Sequence, residues 1–419
     1  MKNIGIIGGG AAGYFTAINI MEMMPSCKVT IYERASKPLA KVAVSGGGRC
    51  NLTNSFNEIS NLKDAYPRGH KAIKQLFKHF DNANCVEWFK SRGVRLVCQD
   101  DQCYFPEKQD SAEIINTFRQ LCNKYGVTEK MHSNIQKIEP CQGGGYNIVI
   151  EGSSQPTFHN AVVVTTGGSP TLRGLSMLEG LDLQIEDPAP SLFTFNIKDA
   201  ELRELMGAVV NNVILTLKGT KLRSQGILLI THWGLSGPAA LKLSSYGARV
   251  LQEKQYNATL SVNWVAERNE DVVREQLKSD FEKNKARLIT NIRPFGLPVR
   301  VWEMLLTRAG ISHERRMGEV GSKGLSRLVN VLCNDEYDIC GRSKFREEFV
   351  TCGGVALSNI SIPSMEARQY SGLYFAGEVL DVDAITGGFN LQAAWSMGYC
   401  AALAITSRGL LKTDLVDLG

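Results

Sequence analysis

The chain has 419 residues, 43% of them hydrophobic and 21% charged, with a net charge of +5. That length holds two or three domains. No apolar run reaches a membrane span, and the small net charge, not gathered into runs, suits an anionic cofactor or substrate better than nucleic acid. Eleven Cys, an odd number with no C-x-x-C pair, suggest reduced thiols in a cytoplasm, and neither zinc-ligand spacing nor a redox dithiol motif is present.

The apolar run over residues 2–8 reads as a strand and enters Gly8-Gly9-Gly10-Ala11-Ala12-Gly13, with G-x-G-x-x-G spacing. A helix follows to about Met24 and stops at Pro25. A second strand, about 28–33, ends in Glu33. Strand, glycine turn, helix and acid stand in the order of a dinucleotide fingerprint. Gly8 permits the turn, Gly10 lets a pyrophosphate reach the backbone, and Gly13 lets the helix pack on the strand. Ala11 and Ala12 lie in the helical turn whose N–H groups face the phosphates. Glu33 accepts from a ribose. An N-terminal strand that contains the turn is not a cleavable leader.

Next comes Ser45-Gly46-Gly47-Gly48-Arg49-Cys50-Asn51-Leu52-Thr53-Asn54. Successive glycines there can turn N–H groups to one side as an anion nest, and Arg49 adds a fork of donors. Arg34 and Lys41 lie between Glu33 and this loop, within reach of phosphate or adenine. Cys50 has no partner Cys nearby to make it a redox thiol. Residues 70–92 and 110–125 read as amphipathic helices. Tyr146–Glu151 and His159–Thr165 read as strands, and Ala161-Val162-Val163-Val164-Thr165 is β-branched enough for a central one. It runs into the turn Thr166-Gly167-Gly168.

The pattern changes near Pro188. Leu192–Ile197, Val209–Leu217, Gly226–Ile230 and Ala258–Trp264 alternate as strands, and 267–287 and 300–333 read as helical. The expected division is therefore 1–188 with 346–419, an inserted β domain of 189–265 with 326–345, and a helical subdomain of 266–325. Basic positions from Arg308 to Arg327 lack interleaved aromatics and read as a solvated helix face. The tail returns to the first pattern. A short buried strand over 372–376 is turned by Gly377-Glu378, Asp381 follows, and Gly387-Gly388 open a last helix of about 389–407 that is apolar nearly all round.

A fingerprint of this kind serves NAD or FAD equally. The Thr166-Gly167 turn, the Gly377-Glu378 and Asp381 segment, and the glycine-led final helix favour FAD, which is long enough to be gripped by both ends of a chain. The helix N-terminus is placed to stabilise charge near the flavin N1 by about 0.3–2 kcal/mol. Gly388, Phe389, Asn390 and Gln392 are the expected ring contacts, with Ser45, Gly47, Gly48, Arg49, Cys50, Asn51 and Ile135 completing the cofactor set.

These motifs, with Thr231-His232-Trp233-Gly234-Leu235-Ser236-Gly237-Pro238 and Val350-Thr351-Cys352-Gly353-Gly354-Val355, resemble bacterial flavoproteins described as aminoacetone-oxidase-like or BaiN-like NAD(P)/FAD-dependent oxidoreductases. The resemblance spans the chain. It implies an α/β, glutathione-reductase-type Rossmann-like FAD domain interrupted by a β-barrel-like domain and a helical subdomain. It also implies few assigned substrates, with reduction of enone double bonds in steroid-like bile acids as one activity. Phe389 stands where the family usually has Tyr, and Ser364-Met365-Glu366-Ala367-Arg368 departs from its usual Thr-Met-Glu-Ser-Lys.

The expected activity is hydride transfer between flavin N5 and a small organic substrate, with NAD(P)H bound transiently because no second fingerprint exists. An amine oxidase using dioxygen and a flavin-dependent tRNA-modifying or RNA-binding protein are the alternatives. His232 at a strand end is a candidate proton donor, or else satisfies a buried carbonyl. Tyr104 is a candidate phenol acid, or else a packing residue. No metal, nucleic acid or membrane partner is expected, and the oligomeric state is left open.

Overall fold

The computed structural model describes residues 1–342 and 350–413, with side chains to residue 407. The expected domain boundary at 345/346 lies outside the described residues. The chain forms two compact units, Met1–Pro190 with Val350–Gly419, and Ser191–Phe349.

The first unit is built on a seven-stranded sheet. Its order is Ile360–Ser361, Glu366–Ala367, Leu373–Phe375, Ala161–Val164, Asn3–Ile7, Lys28–Tyr32, Thr128–Lys130. The last five are parallel. Parallel strands are covered on both faces, which is why Asn3–Ile7, Ala161–Val164 and Leu373–Phe375 read as nearly unbroken apolar runs, whereas the edge strand Thr128–Lys130 is polar. Ala161–Val164 is central, as its composition suggested. The run read as one strand over 159–165 is, however, two. Thr157–His159 belongs to a separate antiparallel sheet with Ile135–Pro140 and Tyr146–Ile150.

Helix Ala11–Met23 crosses the sheet and is buried along most of its length. The final helix, Phe389–Thr413, packs against it. A Cβ at Gly398 would lie 2.8 Å from the Thr16 hydroxyl, so Gly398 lets the two backbones close up. Around them Phe15, Phe80, Trp88, Phe89, Phe118 and Trp395 form one aromatic cluster, with Phe15–Trp88 centroids 4.6 Å apart. The long helix expected over 70–92 is two, His70–Leu76 and Asn82–Lys90. Asp81 caps the second, its carboxylate accepting from Asn84 N–H while the Asn84 side chain accepts from Asp81 N–H. That reciprocal cap starts a new helix where periodicity alone showed a continuous one.

The second unit holds a closed barrel of order Phe195–Ile197, Gly234–Ser236, Arg223–Thr231, Val209–Leu217, Asn257–Asn263, Asp335–Arg342. Its interior shares one hydrophobic cluster with helices Glu270–Lys283, Val299–Arg308 and Gly321–Asn334, including the buried Trp264 and Trp302. The helix expected over 300–333 is interrupted. Gly310 and Gly321 take positive φ, and the chain between them passes through a turn, the bridge residue Arg316 and the short 3-10 turn Met317–Glu319 before re-entering a helix. Glycine is the residue that adopts this backbone at least cost. Among the described residues no helix is long and apolar enough to cross a membrane.

Candidate functional site

The glycine turn has the geometry its sequence implies. Gly8 sits at φ +113°, and a Cβ there would meet the Thr165 carbonyl at 2.4 Å. A Cβ at Gly13 would lie 2.1 Å from the Gly8 carbonyl oxygen, so only glycine seats this helix on the strand. Thr165 locks the junction, its hydroxyl donating to the carbonyls of Ile7 at 3.1 Å and Gly8 at 2.8 Å. By contrast, a Cβ on Gly10 would meet nothing within 4 Å. Gly10 begins the helix with no side-chain cap and no acid in the first turn. The N-terminal N–H groups beside Ala11 and Ala12 therefore point to open space at the positive end of the macrodipole. A glycine with no protein neighbour ahead of an uncapped helix has the geometry that can receive a pyrophosphate.

Glu33 ends its strand with both carboxylate oxygens accepting backbone N–H groups, from Gly9 at 2.7 Å and Ala35 at 2.7 Å. These bonds fix the carboxylate beside the turn, and each oxygen keeps a second lone pair for a ribose hydroxyl. Arg34 is exposed. Lys41 does not stand free: its ammonium pairs with Glu378 at 2.8 Å, and Glu378 also accepts from Thr351 N–H at 2.7 Å. Two residues expected to touch the cofactor independently thus hold each other across 337 positions of sequence.

The Ser45–Asn54 segment begins as helix and breaks at Ser45, where Gly46, Gly47 and Gly48 take left-handed φ of 58°, 69° and 82°. The Ser45 hydroxyl donates to Val42. Arg49 turns inward. Its Nε donates to Gly46 at 3.0 Å, Nη1 faces Gln99 and Gln109, and the guanidinium lies 4.2 Å from the Phe105 ring centroid. That arrangement shapes the glycine loop and leaves Arg49 a smaller part in anion binding than an open fork would have. Cys50 is fully buried, which pushes its thiol up to about 12. A neutral thiol at ordinary pH is no nucleophile. Asn51 carries a buried Oδ1 without a hydrogen-bond partner among the described residues, and a Cβ at Gly388 would sit 2.6 Å from it. An orphaned acceptor in a tight glycine cleft calls for a donor supplied from outside the chain.

The tail supplies the opposite wall. Gly377 takes φ +84°, against Ala12. Asp381 accepts from Gly353 N–H at 3.0 Å. Asn54 donates to the Gly387 carbonyl at 3.1 Å, and Thr53 donates to Gln392 at 2.6 Å. Gln392 then donates to Ser396, whose hydroxyl donates to Phe80. Gln392 is fully buried in that chain, and Phe389 is buried among Phe56 and Tyr66, so both build the wall from behind. Asn390 clamps Ala384, accepting its N–H at 2.9 Å and donating to its carbonyl at 3.1 Å. Thr166 is exposed and Gly167 takes φ +75° at the end of the central strand. Ile135 is buried where its strand pairs with Ile150.

Sequence reasoning missed the buried ion pair between Arg68 and Asp383, formed at an isolated antiparallel bridge. Asp383 is fully buried, and two parallel guanidinium–carboxylate bonds join the pair. No local motif announces a pair 315 positions apart.

The two candidate acids fall in different units. Tyr104 lies in strand Cys103–Pro106, opposite Thr53, with its phenol raised above the usual value by partial burial and Cys98. His232 lies in the turn between barrel strands Arg223–Thr231 and Gly234–Ser236. Its imidazole is exposed and lies against Trp233 with centroids 4.5 Å apart, while Arg203 donates to its carbonyl at 2.9 Å. Among the described residues its ring bonds no buried carbonyl. Among the described residues no group of three His, Cys, Asp or Glu side chains is placed to hold a metal.

Residues 2–404 match the family model of the HI0933-like protein Rossmann domain. A ribosomal RNA dihydrouridine synthase of Haemophilus influenzae is 28% identical over 96% of this chain and 98% of its own. One from Escherichia coli is 29% identical over 95% and 96%. A 3-dehydro-bile acid Δ4,6-reductase of Clostridium scindens is 24% identical over 97% and 100%. Among solved structures, the 3-ketosteroid-Δ4-(5α)-dehydrogenase of Rhodococcus jostii shares the fold, with a TM-score of 0.51, 12% identity and 97% of each chain covered. The chain belongs to the HI0933-like family, an FAD-dependent oxidoreductase built on a Rossmann domain with an inserted six-stranded barrel.

Proposed function

We propose that this protein reduces the C5=C6 double bond of a uridine in ribosomal RNA, with NAD(P)H as the transient electron donor. The observation that carries the reading is likeness along essentially the whole chain to two ribosomal RNA dihydrouridine synthases. Charge distribution supports it. Residues 191–349 hold 24 Lys and Arg against 18 Asp and Glu, a net of +6, whereas the rest of the chain holds 23 against 24. The basic excess lies wholly in the inserted unit, where an RNA backbone would be attracted. The expectation of no nucleic-acid partner finds no support in these relatives, and this reading replaces it.

The chemistry stays within what the sequence suggested. In uracil, C5=C6 is conjugated to the C4 carbonyl, so it is an enone-type bond like the one a steroid enone presents. The overall reaction consumes NAD(P)H, a proton and uridine and yields NAD(P)+ and 5,6-dihydrouridine. Bound FAD supplies two-electron hydride chemistry. In this reading Gly10 and the N–H groups of helix Ala11–Met23 bind the pyrophosphate, Glu33 takes the adenosine ribose, and Asn51 Oδ1 accepts from the isoalloxazine. The proton lands on C5, the carbon next to the C4 carbonyl.

Flavin-loaded protein, NADPH or NADH and deproteinised ribosomal RNA are incubated without oxygen, and the RNA is digested to nucleosides. Dihydrouridine in the digest is the expected result; its absence with both donors overturns the reading. A second reading, reduction of a small enone, is favoured by the bile-acid reductase relative. Turnover of a 3-oxo-4-ene steroid with RNA left unchanged would select it.

A further inference from the structure

The sequence alone made the basic run near Arg308–Arg327 a solvated helix face, but the fold gathers it with a second segment. Leu288 and Arg316 form an antiparallel bridge. Ile289 N–H donates to Arg315 at 3.0 Å, Met317 N–H to Arg287 at 3.1 Å, and Gly318 N–H to Lys285 at 3.2 Å. This two-stranded ribbon places Lys285, Arg287, Arg315 and Arg316 together, and all four are exposed. Three residues after Gly318 begins helix Gly321–Asn334. Its first turns line an open concavity of about 390 Å³ with Ser322, Lys323, Ser326 and Arg327.

The cations here are largely uncompensated. Lys285 pairs with Glu282 at 2.6 Å, and Glu319 accepts the backbone N–H of Arg316 at 3.2 Å. Arg287, Arg315, Lys323 and Arg327 have no carboxylate within 4.0 Å among the described residues. Over residues 285–327 the sequence holds nine Lys and Arg against three Glu and no Asp. The same unit does neutralise a cation where its fold needs it: Arg308 is held by Asp199 at 3.0 Å and Asp335 at 2.8 Å. Leaving the ribbon unpaired therefore suits an external polyanion. The Ser322 and Ser326 hydroxyls among the cations suit phosphate oxygens, which accept from hydroxyl and guanidinium donors alike.

We propose that the ribbon of residues 285–289 and 315–317, with the first turns of helix Gly321–Asn334, is the surface that grips the phosphate backbone of the RNA. The proposal rests on the reading of the substrate as RNA, and the test separates the two. Full-length, flavin-loaded protein is compared with its Arg287→Gln/Arg315→Gln/Lys323→Gln variant for binding to deproteinised ribosomal RNA over a salt series. The variant should bind about tenfold more weakly near physiological salt. Its plot of log affinity against log salt should be shallower by about two, three lost phosphate contacts at roughly 0.7 each. Flavin content and melting temperature should not move, and Arg287→Lys/Arg315→Lys, which keeps the charge, should restore the slope. Equal affinity and slope in variant and parent overturn the surface, even where the parent makes dihydrouridine. A parent that makes no dihydrouridine, with the slope still lowered in the variant, sinks the substrate reading and leaves the surface standing. Binding to vesicles of anionic phospholipid but not to the RNA overturns the proposal in favour of a membrane surface.

Discussion

The nucleotide cradle and the cationic ribbon treat polar groups in opposite ways. In the cradle nearly every charged or amide side chain is already engaged by the protein: Glu33 by two backbone N–H groups, Lys41 by Glu378, Asn390 by both sides of Ala384. In the ribbon and the helix after it, Arg287, Arg315 and Lys323 project without a counter-charge among the described residues. The first is a preorganised seat for one ligand of fixed shape, and its residues serve fold and cofactor together. On the proposed reading the second is an adaptable surface for a long polyanion, where each contact is weak and salt-sensitive. Substitutions of cradle residues that are engaged by the protein should cost stability; those in the inserted unit's exposed positions should cost function alone.

The largest break in that contrast comes at Asp383. Asp383→Ala leaves Arg68 short of its carboxylate in a buried setting, and about 3–5 kcal/mol of stability should be lost in a urea titration. A loss below 1 kcal/mol would show that the cradle does not depend on the pair.

Acid should act on the same unit through His159, which is 1% exposed, with Nε2 at 2.9 Å from the Tyr32 hydroxyl. Burial, then the charges of Lys130 and Lys28, lower its pKa to about 4 from 6.5. The unfolded state therefore binds the extra proton between those values. His159's contribution is fully present above pH 6.5, is lost as pH falls toward 4, and is then level, about 3–4 kcal/mol in all. Denaturant titrations of the parent and of His159→Asn from pH 7.5 to 4 check this; matching slopes would contradict it.

Two glycines of the turn sharpen the comparison further. Gly13→Ala drives a methyl into the Gly8 carbonyl and should cost about 1–3 kcal/mol together with the flavin. Gly10→Ala meets no protein atom, so the melting temperature of the apoprotein should hold while FAD affinity falls. If Gly10→Ala binds FAD like the parent, the pyrophosphate does not lie over Gly10.

The smallest stability effect belongs to His232. His232→Gln should change stability by less than about 0.5 kcal/mol, yet slow double-bond reduction on the order of a hundredfold if the imidazole donates the proton. Flavin reduction by NAD(P)H, which needs no such proton, should keep its rate. A parallel loss in both half-reactions would remove His232 from the proton path.

What was legible in the sequence was what local backbone geometry dictates. Gly8 and Gly13 could be read from spacing because one takes a positive φ and the other packs on a carbonyl five residues earlier. The central strand was legible because a β-branched apolar run has few other homes. The wall of the cradle was not. Thr53 meets Gln392, Lys41 meets Glu378 and Arg68 meets Asp383 across more than 300 positions, and no periodicity encodes such pairs. The inward turn of Arg49 was not legible for the same reason, since Phe105 comes from a strand too short to show alternation and Gln99 and Gln109 from the loops that follow such strands. The ribbon escaped notice because its halves, 285–289 and 315–317, are each an ordinary basic stretch until one bridge joins them.

The most direct test follows the reoxidation of anaerobically reduced, flavin-loaded protein on mixing with ribosomal RNA or with a 3-oxo-4-ene steroid. The account predicts that the RNA restores the oxidised flavin spectrum and gains dihydrouridine in equal amount, while the steroid leaves the flavin reduced. Reoxidation by the steroid with the RNA inert would contradict it.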